Sequence, residues 1–180
     1  MKIDSNLLEQ IEWLCETYYE DVYRYCLYFT NSRVEAEDLT QETFIKVLKG
    51  LSKFQHRSNW KTWVLAIAKN TAIDHYRRKK LIEFLPDSLL YGRKSNDASP
   101  EKEFDVKEEW EEVERALLTL KPAYRNVVIL RGIQELTVKE TAEILNCSEQ
   151  KVRVDYHRAL KQLQNKLVPV KGGALVDEKF

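Results

Sequence analysis

The sequence predicts an all-α protein of two small helical domains joined by a flexible linker, with a helix-turn-helix in the C-terminal domain. Three observations indicate this. Apolar residues recur at helical spacing over most of the chain. Five Gly and four Pro in 180 residues are few for a turn-rich β fold. The stretch 81–99 loses the helical periodicity and contains Pro, Gly, Ser and Asn, as a linker does.

The first half of the chain is predicted to form three helices. The first is expected over about residues 6–29, which are rich in Leu, Trp and Tyr. Ser32 and Glu35 have the spacing of a capping box, so a second helix should begin there and continue to about Leu51. After a loop, the third helix is expected over about 59–80, with an apolar stripe suited to packing against two neighbours.

The second half is predicted to form four helices. Their expected bounds are about 106–119, 122–134, 137–146 and 148–167. Thr137 and Glu140 form another capping-box pair, and Ser148 can cap the last helix. Asn146 stands where the chain must turn, and Asn tolerates the left-handed backbone conformation. A short helix, a tight turn and a longer basic helix predict a DNA-reading helix-turn-helix, followed by a loose tail over 168–180.

Composition indicates a cytoplasmic protein. The sequence has no run of about 18 apolar residues that could span a membrane. Its first residues, MKIDSNLLEQ, lack the apolar core of a secretion signal. The three Cys form no CxxC pair and no metal-ligand cluster, so we expect reduced thiols in or near the core.

The net charge is zero, but the charges are segregated along the chain. Between 60 and 80, six basic residues oppose one acidic residue, and between 121 and 167 nine basic residues oppose five acidic ones. Between 97 and 114, nine acidic residues oppose two basic ones. Because the local field steers a polyanion, the two basic segments can serve DNA binding.

Polar side chains of the last helix lie off its apolar stripe and can donate hydrogen bonds to base edges or phosphates. The candidate contacts, with one apolar residue among them, are Gln150, Lys151, Arg153, Val154, His157, Arg158 and Lys161. The alternative interpretation is a solvated basic face with no ligand. The two caps and the turn between the helices favour the DNA-reading interpretation.

Two blocks of the sequence resemble the extracytoplasmic-function (ECF) sigma factors, the smallest class of the sigma-70 family of bacterial transcription initiation factors. The first half contains AEDLTQETFIKVL and FQHRSNWKTWVLAIAKNTAIDHYRRKK. The second contains LLTLKPAYRNVVILRGIQELTVKETAEILNCSEQKVRVDYHRAL. The resemblance covers roughly residues 7–167. The segments KTWVLAIAKN and HRAL resemble those of the family members found in Bacillus.

The resemblance implies a role for each half. Residues 1–80 would be sigma domain two, which binds the promoter −10 element and the β′ clamp of RNA polymerase. Residues 106–167 would be domain four, which reads the −35 element and binds the β flap, and residues 81–105 would be the linker. The matches to the clamp-binding helix are Asp38, Leu39, Gln41, Glu42 and Phe44. The matches to the −10 loop and the promoter helix are Lys53, Phe54, Gln55, His56, Arg57, Ser58, Asn59, Lys61, Trp63, Lys69, Asn70, Asp74, Arg77 and Arg78. The matches to the −35 contacts are Arg153, Val154, His157 and Arg158.

The loop before the third helix suits capture of a flipped base, because its polar side chains offer hydrogen-bond donors and acceptors. Phe54 and Trp60 are candidates for stacking on that base, whereas Trp63 is expected in the core. Val154 occupies a position where family members often carry a small polar residue, so the −35 sequence is not determined.

The expected partners are core RNA polymerase, promoter DNA and an anti-sigma factor, either free or membrane-bound. No cofactor, metal or small-molecule substrate is expected. A stand-alone helix-turn-helix regulator is the alternative, but a sensor domain would not require a Trp-anchored basic helix within 34–80. An enzyme is disfavoured, because no nucleophile–base arrangement appears and Asp74 and His75 are adjacent on a helix, so their side chains should point apart.

Overall fold

The computed structural model describes residues 5–52, 54, 58–84 and 108–167, and all regular structure in this part is helical. The helices are α1 (Ser5–Thr30), α2 (Arg33–Leu51), α3 (Trp60–Glu83), α4 (Glu108–Leu118), α5 (Pro122–Val128), α6 (Val138–Leu145) and α7 (Glu149–Leu167). A π-helical turn, Ile129–Ile133, continues α5. The predicted all-α class is confirmed. Within the described residues, every helix is too short or too polar to traverse a bilayer.

The start of α2 forms only half of the predicted capping box. The Ser32 hydroxyl accepts a hydrogen bond from the Glu35 backbone N–H at 3.3 Å. The Glu35 carboxylate instead lies 3.2 Å from His75 Nε2 and 2.6 Å from Lys79 Nζ. Glu35 therefore ties the start of α2 to α3. The second half of the capping box does not form because His75 and Lys79 of α3 bind the Glu35 carboxylate in place of the Ser32 backbone N–H.

Helix α3 begins where the sequence predicts and ends later. Asn59 caps it by accepting a hydrogen bond from the Lys61 N–H at 3.1 Å. The helix continues to Glu83, three residues beyond the predicted end at residue 80. Most of the predicted linker, and all of the predicted tail, lie outside the described residues.

The helix-turn-helix has the predicted local structure. The Thr137 hydroxyl accepts from the Glu140 N–H at 3.2 Å, and the Glu140 carboxylate accepts from the Thr137 N–H at 2.8 Å, which completes the capping box. Asn146 is left-handed, with φ of 51°, and Ser148 accepts from the Lys151 N–H at 3.2 Å. These predictions from local sequence are confirmed because the capping side chains and the backbone N–H groups that they accept from lie within three residues of each other.

The helix predicted over 122–134 is not regular throughout. It changes to a π-helical turn at Ile129, where the Gln134 N–H donates to the Ile129 carbonyl at 2.9 Å. The Leu136 N–H then returns to the Leu130 carbonyl at 3.0 Å. The π turn brings both Leu130 and Leu136 into the core, where they are at most 5% exposed.

The three Cys are free thiols, and burial raises the pKa of Cys26 to about 12.

The two halves are packed against each other. Helices α1, α2 and α3 pack together around a core that includes Leu14, Val22 and Phe29. Four side chains of the second half belong to the same cluster: Ile129, Leu130, Leu136 and Ile144. Helix α6 packs along α3, and the π-helical turn packs on α1. The sequence predicts two domains, and the structure adds a buried interface between them.

Buried and half-buried polar contacts cross this interface. The Tyr25 hydroxyl donates to the Asn126 side-chain oxygen at 2.6 Å. The Gln134 amide donates to the Asp21 carbonyl at 2.6 Å. Nη1 of Arg125 donates to the Phe29 carbonyl at 2.7 Å. Because a buried polar group without a partner is costly, these bonds favour one defined arrangement of the two halves.

Candidate nucleic-acid and partner interfaces

Helix α7 presents an open polar face. Its buried side is formed by Val152, Asp155, Ala159 and Leu163. All seven predicted −35 contacts are exposed: Gln150, Lys151, Arg153, Val154, His157, Arg158 and Lys161. The helix-turn-helix holds this face rigidly, because the caps at Thr137 and Ser148 fix the ends of both helices. The face is therefore accessible to a DNA groove even with the two halves packed together.

Two of the basic side chains on this face pair with acidic residues of the same helix. Lys151 Nζ lies 2.6 Å from Asp155, and a nitrogen of Arg153 lies 2.9 Å from Glu149. The hydrogen bond to the Asp155 carboxylate, together with its negative charge, raises the pKa of Lys151. The Arg153 and Glu149 side chains are 60% and 46% exposed, so their ion pair is weak and can be exchanged for a base or phosphate contact. Within the described residues, Arg158 makes no ion pair.

The loop predicted to hold a flipped base is only partly described. Lys53, Gln55, His56 and Arg57 lie outside the described residues. Ser58 is half-buried, and the Asn59 side chain is engaged as the cap of α3.

Phe54, the residue of this segment that precedes the undescribed positions 55–57, belongs to an aromatic cluster. The Phe54 ring centroid lies 4.0 Å from that of Trp60 and 4.7 Å from that of Trp63. Trp13 of α1 joins the cluster 6.4 Å from Trp60. Trp63 packs against the core, and a side chain at Gly50 would approach its ring to 3.2 Å. Phe54 and Trp60 thus pack against each other with their ring planes tilted by 35°, and a base would have to join or displace this contact.

The basic residues of α3 fall into two groups. In its N-terminal half, Lys61 pairs with Asp21 at 3.0 Å, and Lys69 donates to Asn70 at 2.7 Å. Helix α6 packs along α3, and burial lowers the pKa of Lys69. At the other end, Arg77 and Arg78 are 75% and 62% exposed.

The exposed arginines of α3 have weak partners. Arg77 lies 3.9 Å from Asp74, and Arg78 lies 3.7 Å from Glu42 of α2. At these distances and exposures the pairs contribute little stability, so both guanidinium groups remain available to phosphates. Asp74 thus faces Arg77, whereas the neighbouring His75 faces Glu35, and the two side chains point apart as predicted.

The predicted polymerase contacts on α2 divide between its surface and its core side. Asp38 and Gln41 are exposed, and Glu42 is half-buried and pairs with Lys46 at 2.8 Å. Leu39 and Phe44 are 2% and 8% exposed, because they face the core between α1 and α3. These two side chains position the helix and cannot touch a partner while the packing is kept.

Sequence reasoning missed three apolar residues on the exposed side of α2. Val34, Ile45 and Leu48 are 62%, 50% and 43% exposed. Together with Asp38 and Gln41 they follow spacings of three and four residues, so all five lie on one face. The signal that could have found them is the angular position of each residue around the helix axis. Position 45 falls opposite the buried residues, and position 48 lies beside them, at the edge of the exposed side. Exposed apolar side chains among polar ones are typical of an interface with a protein partner.

No candidate metal-binding cluster occurs in the described part of the chain. Its His, Cys, Asp and Glu side chains do not form any group of three or more that could hold a metal ion.

Comparison with known proteins identifies the two halves separately. The family model of Sigma-70 region 2 matches residues 14–82, and that of Sigma-70, region 4 matches residues 110–163. The chain is 36% identical to the RNA polymerase sigma factor YlaC of Bacillus subtilis over 160 residues, which cover 88% of this chain and 92% of that protein. It is 33% identical to the ECF RNA polymerase sigma factor SigX of the same organism, with 94% and 90% of the two chains covered.

A solved structure has a similar fold. It is the sigma factor RpoE in complex with the anti-sigma factor NepR from Bartonella quintana. The TM-score is 0.70 at 21% sequence identity, and the match covers 91% of this chain and 99% of that one. At this identity the likeness concerns the arrangement of the helices.

Proposed function

This chain belongs to the ECF sigma factors of the sigma-70 family, and from that premise we propose which surfaces perform the function: it binds core RNA polymerase through α2 and reads promoter DNA through α3 and α7. The observation that carries the proposal is the presence of two helices with exposed basic side chains, α3 and α7, in two different sigma regions of one short chain. A stand-alone regulator needs the helix-turn-helix alone. It would not need a second basic helix supported by an aromatic cluster.

The −35 element is proposed to lie in contact with the open face of α7. Arg153 and Arg158 can each donate two hydrogen bonds to the O6/N7 edge of guanine, and Gln150 can bond bidentately to adenine. Lys151 and Lys161 can neutralise phosphates, which positions the helix without specifying sequence. His157 and Val154 complete the face. The exposure of all seven side chains supports this assignment.

The −10 element is proposed to lie along α3 and the loop before it. Arg77 and Arg78 offer exposed cations, and Lys61, Lys69 and Asn70 extend the same helix toward the loop. A flipped base would be held by the polar loop over 53–59 and stacked near Phe54 and Trp60. The ring contacts of Phe54 and Trp60 support this role, because they place aromatic surface at both described ends of the segment 54–60.

Core RNA polymerase is proposed to bind the exposed face of α2. Asp38 and Gln41 supply polar contacts, and Ile45 and Leu48 supply apolar area beside them. The solved relative is in complex with an anti-sigma factor, and we infer that this chain is also held by one. It would act in the cytoplasm as an initiation factor, without catalysis of its own.

The test is reconstitution with core RNA polymerase. The purified chain should co-elute with the core enzyme, and added to it should produce discrete transcripts whose start sites share upstream −35 and −10 sequences. The core enzyme alone is the control. Specific DNA binding without any binding to the core enzyme would instead establish the stand-alone regulator.

A further inference from the structure

Helix α3 carries four consecutive basic residues near its C-terminus, and each of them lies within 3.9 Å of a carboxylate. The closest nitrogen–oxygen distances are 3.9, 3.7, 2.6 and 3.5 Å, in the order Arg77, Arg78, Lys79 and Lys80. The first and the last pair with acidic residues of α3 itself. The two middle cations pair with α2, where Glu42 lies beside Arg78 and Glu35 beside Lys79. These four residues, which we call the basic end of α3, are therefore opposed by four carboxylates.

Glu35 and Glu42 occupy the side of α2 that faces α3. They are separated by seven positions, which is about two helical turns, so their side chains lie on one face. Each contacts a further basic group, since Glu35 lies 3.2 Å from His75 Nε2 and Glu42 lies 2.8 Å from Lys46 Nζ. The hydrogen bond to Lys46 lowers the pKa of Glu42, and the charge of Arg78 acts in the same direction. Glu42 is therefore an anion at neutral pH.

A carboxylate in this position competes with a DNA phosphate for the same cation. Binding to DNA of any sequence depends on cations that neutralise phosphates and release counterions. The pair of Arg78 with Glu42 is exposed and costs little to break, but the carboxylate stays beside the incoming phosphate after the pair has opened. Their separation would be shorter than the screening length of about 8 Å at physiological salt, so the repulsion is only partly screened. Each carboxylate of α2 should therefore lower the affinity of the basic end of α3 for DNA.

We propose that Glu35 and Glu42 of α2 weaken the binding of the free chain to DNA by holding the cations at the basic end of α3. The inference rests on the proposed function, since it assumes that α3 contacts DNA phosphates. It goes beyond that function by assigning the strength of this contact to two carboxylates of the neighbouring helix. In the free chain, the helix proposed to bind polymerase thus also limits the affinity for DNA.

Charge-neutralising variants test this with the full chain and a fluorescein-labelled DNA duplex of mixed sequence. Glu35→Gln and Glu42→Gln should each raise the affinity about fivefold at low salt, since a unit charge about 4 Å away changes an affinity by about this factor in water. The slope of log affinity against log salt concentration should become steeper by about one unit. Glu37→Gln is the matched control, because Glu37 is exposed on the same helix and lies about 200° around its axis from Glu35 at about 100° per residue. It changes the net charge equally and should leave the affinity nearly unchanged.

A double-mutant cycle identifies the cation through which Glu35 acts. In a Lys79→Ala background, Glu35→Gln should raise the affinity less than it does in the wild type, because the cation that the carboxylate holds is gone. Circular dichroism reports whether Glu35→Gln is folded, since this side chain also ties α2 to α3 through His75. Glu42→Gln supplies the second variant, at a more exposed position.

The double variant Arg77→Ala, Arg78→Ala separates the inference from the proposed function. It should lower the affinity for the duplex, and an unchanged affinity would show that α3 does not contact DNA, which refutes the proposed role of α3 together with the inference. If it lowers the affinity while neither Glu35→Gln nor Glu42→Gln raises it, the inference alone is overturned, because the carboxylates then position the cations or have no effect on them. An equal rise in affinity for Glu37→Gln would also overturn it, since the effect would then follow from net charge.

Discussion

Two basic residues of α7 are expected to contact DNA in different ways, one at the bases and one at the phosphates. Arg153 lies within the open face near the start of the helix, whereas Lys166 lies in its last turn. We expect Arg153→Ala to relax the preference at one or two base pairs of the −35 element, since a bidentate contact to guanine discriminates by about 1–3 kcal/mol. Lys166→Ala should weaken binding to all promoters alike. It should also reduce the slope of log affinity against log salt concentration by about one unit, as expected for the loss of one phosphate contact. The measurement is transcription from a library randomised across the −35 region.

The ion pair of Arg153 with Glu149 provides the competing explanation for this residue. If that pair were its only role, Glu149→Gln and Arg153→Ala should have the same small effect. Reduced output with an unchanged base preference in the Arg153→Ala library would assign the side chain to the phosphate backbone.

Val154 is the one apolar side chain among the polar ones of this face, and it is 40% exposed. An exposed Val makes no contribution to the core, but its methyl groups can contact the C5-methyl of thymine in the major groove. We expect Val154→Ala to lose a thymine preference at one position, at a cost of about 1 kcal/mol, since a buried methylene contributes about 0.8 kcal/mol. Val154→Thr keeps one methyl group and should retain the preference. A base preference that is the same in both variants and the wild type would exclude this contact.

At the scale of elements, α2 separates a core side from a partner side. We expect Asp38→Arg combined with Gln41→Ala to weaken binding to core RNA polymerase by about 2 kcal/mol or more, the size typical of interface hot spots. The fold should be retained, because both side chains are exposed. Glu16→Arg on the exposed side of α1 is the matched charge change and should leave binding unaltered. Equal affinities of the wild type and the double variant in a pull-down would remove α2 as the binding element.

Most elements could be predicted from the sequence because their signals are local. The caps at Ser32, Thr137 and Ser148 and the left-handed Asn146 depend on residues within three positions of each other. The π-helical turn at Ile129 could not be predicted in this way, because a helical stripe of apolar residues continues through it. The partners of the Glu35 carboxylate could not be predicted either, since His75 and Lys79 of α3 are distant from it in sequence.

At the scale of the whole molecule, the two-domain division could be predicted but the packing of the halves could not. Periodicity identifies apolar faces without stating which face meets which. From the sequence, the second half should bury its apolar residues in a core of its own. The fold shows that four of them contact the core of the first half instead: Ile129, Leu130, Leu136 and Ile144. The same limit applies to the candidate site. The exposure of the α7 residues could be predicted from the periodicity of that helix alone. The burial of Leu39 and Phe44 depends on how α1, α2 and α3 pack together, which periodicity does not state.

Arg125 joins the ends of two helices from different halves. It is 5% exposed, and its guanidinium group donates to the carbonyls of Leu117, Leu118 and Leu120 at the end of α4. The same group donates to the Phe29 carbonyl near the end of α1 and lies over the Phe29 ring, 5.2 Å from its centroid. Carbonyls at helix C-termini have no partners within their own helix, so this one side chain satisfies several of them at once.

Because the halves share a core and Arg125 joins their helix ends, we expect the wild type to unfold in a single cooperative transition. Arg125→Gln should reduce the free energy of unfolding by about 2–3 kcal/mol, since a hydrogen bond to a charged group contributes about 1.5–3 kcal/mol. It should also separate the transition into two, because the first half keeps its own helical core while the second loses its attachment. Scanning calorimetry measures both effects, with Arg24→Gln on the exposed side of α1 as the control. Two transitions in the wild type, or an unchanged melting temperature in Arg125→Gln, would show that Arg125 does not couple the two halves.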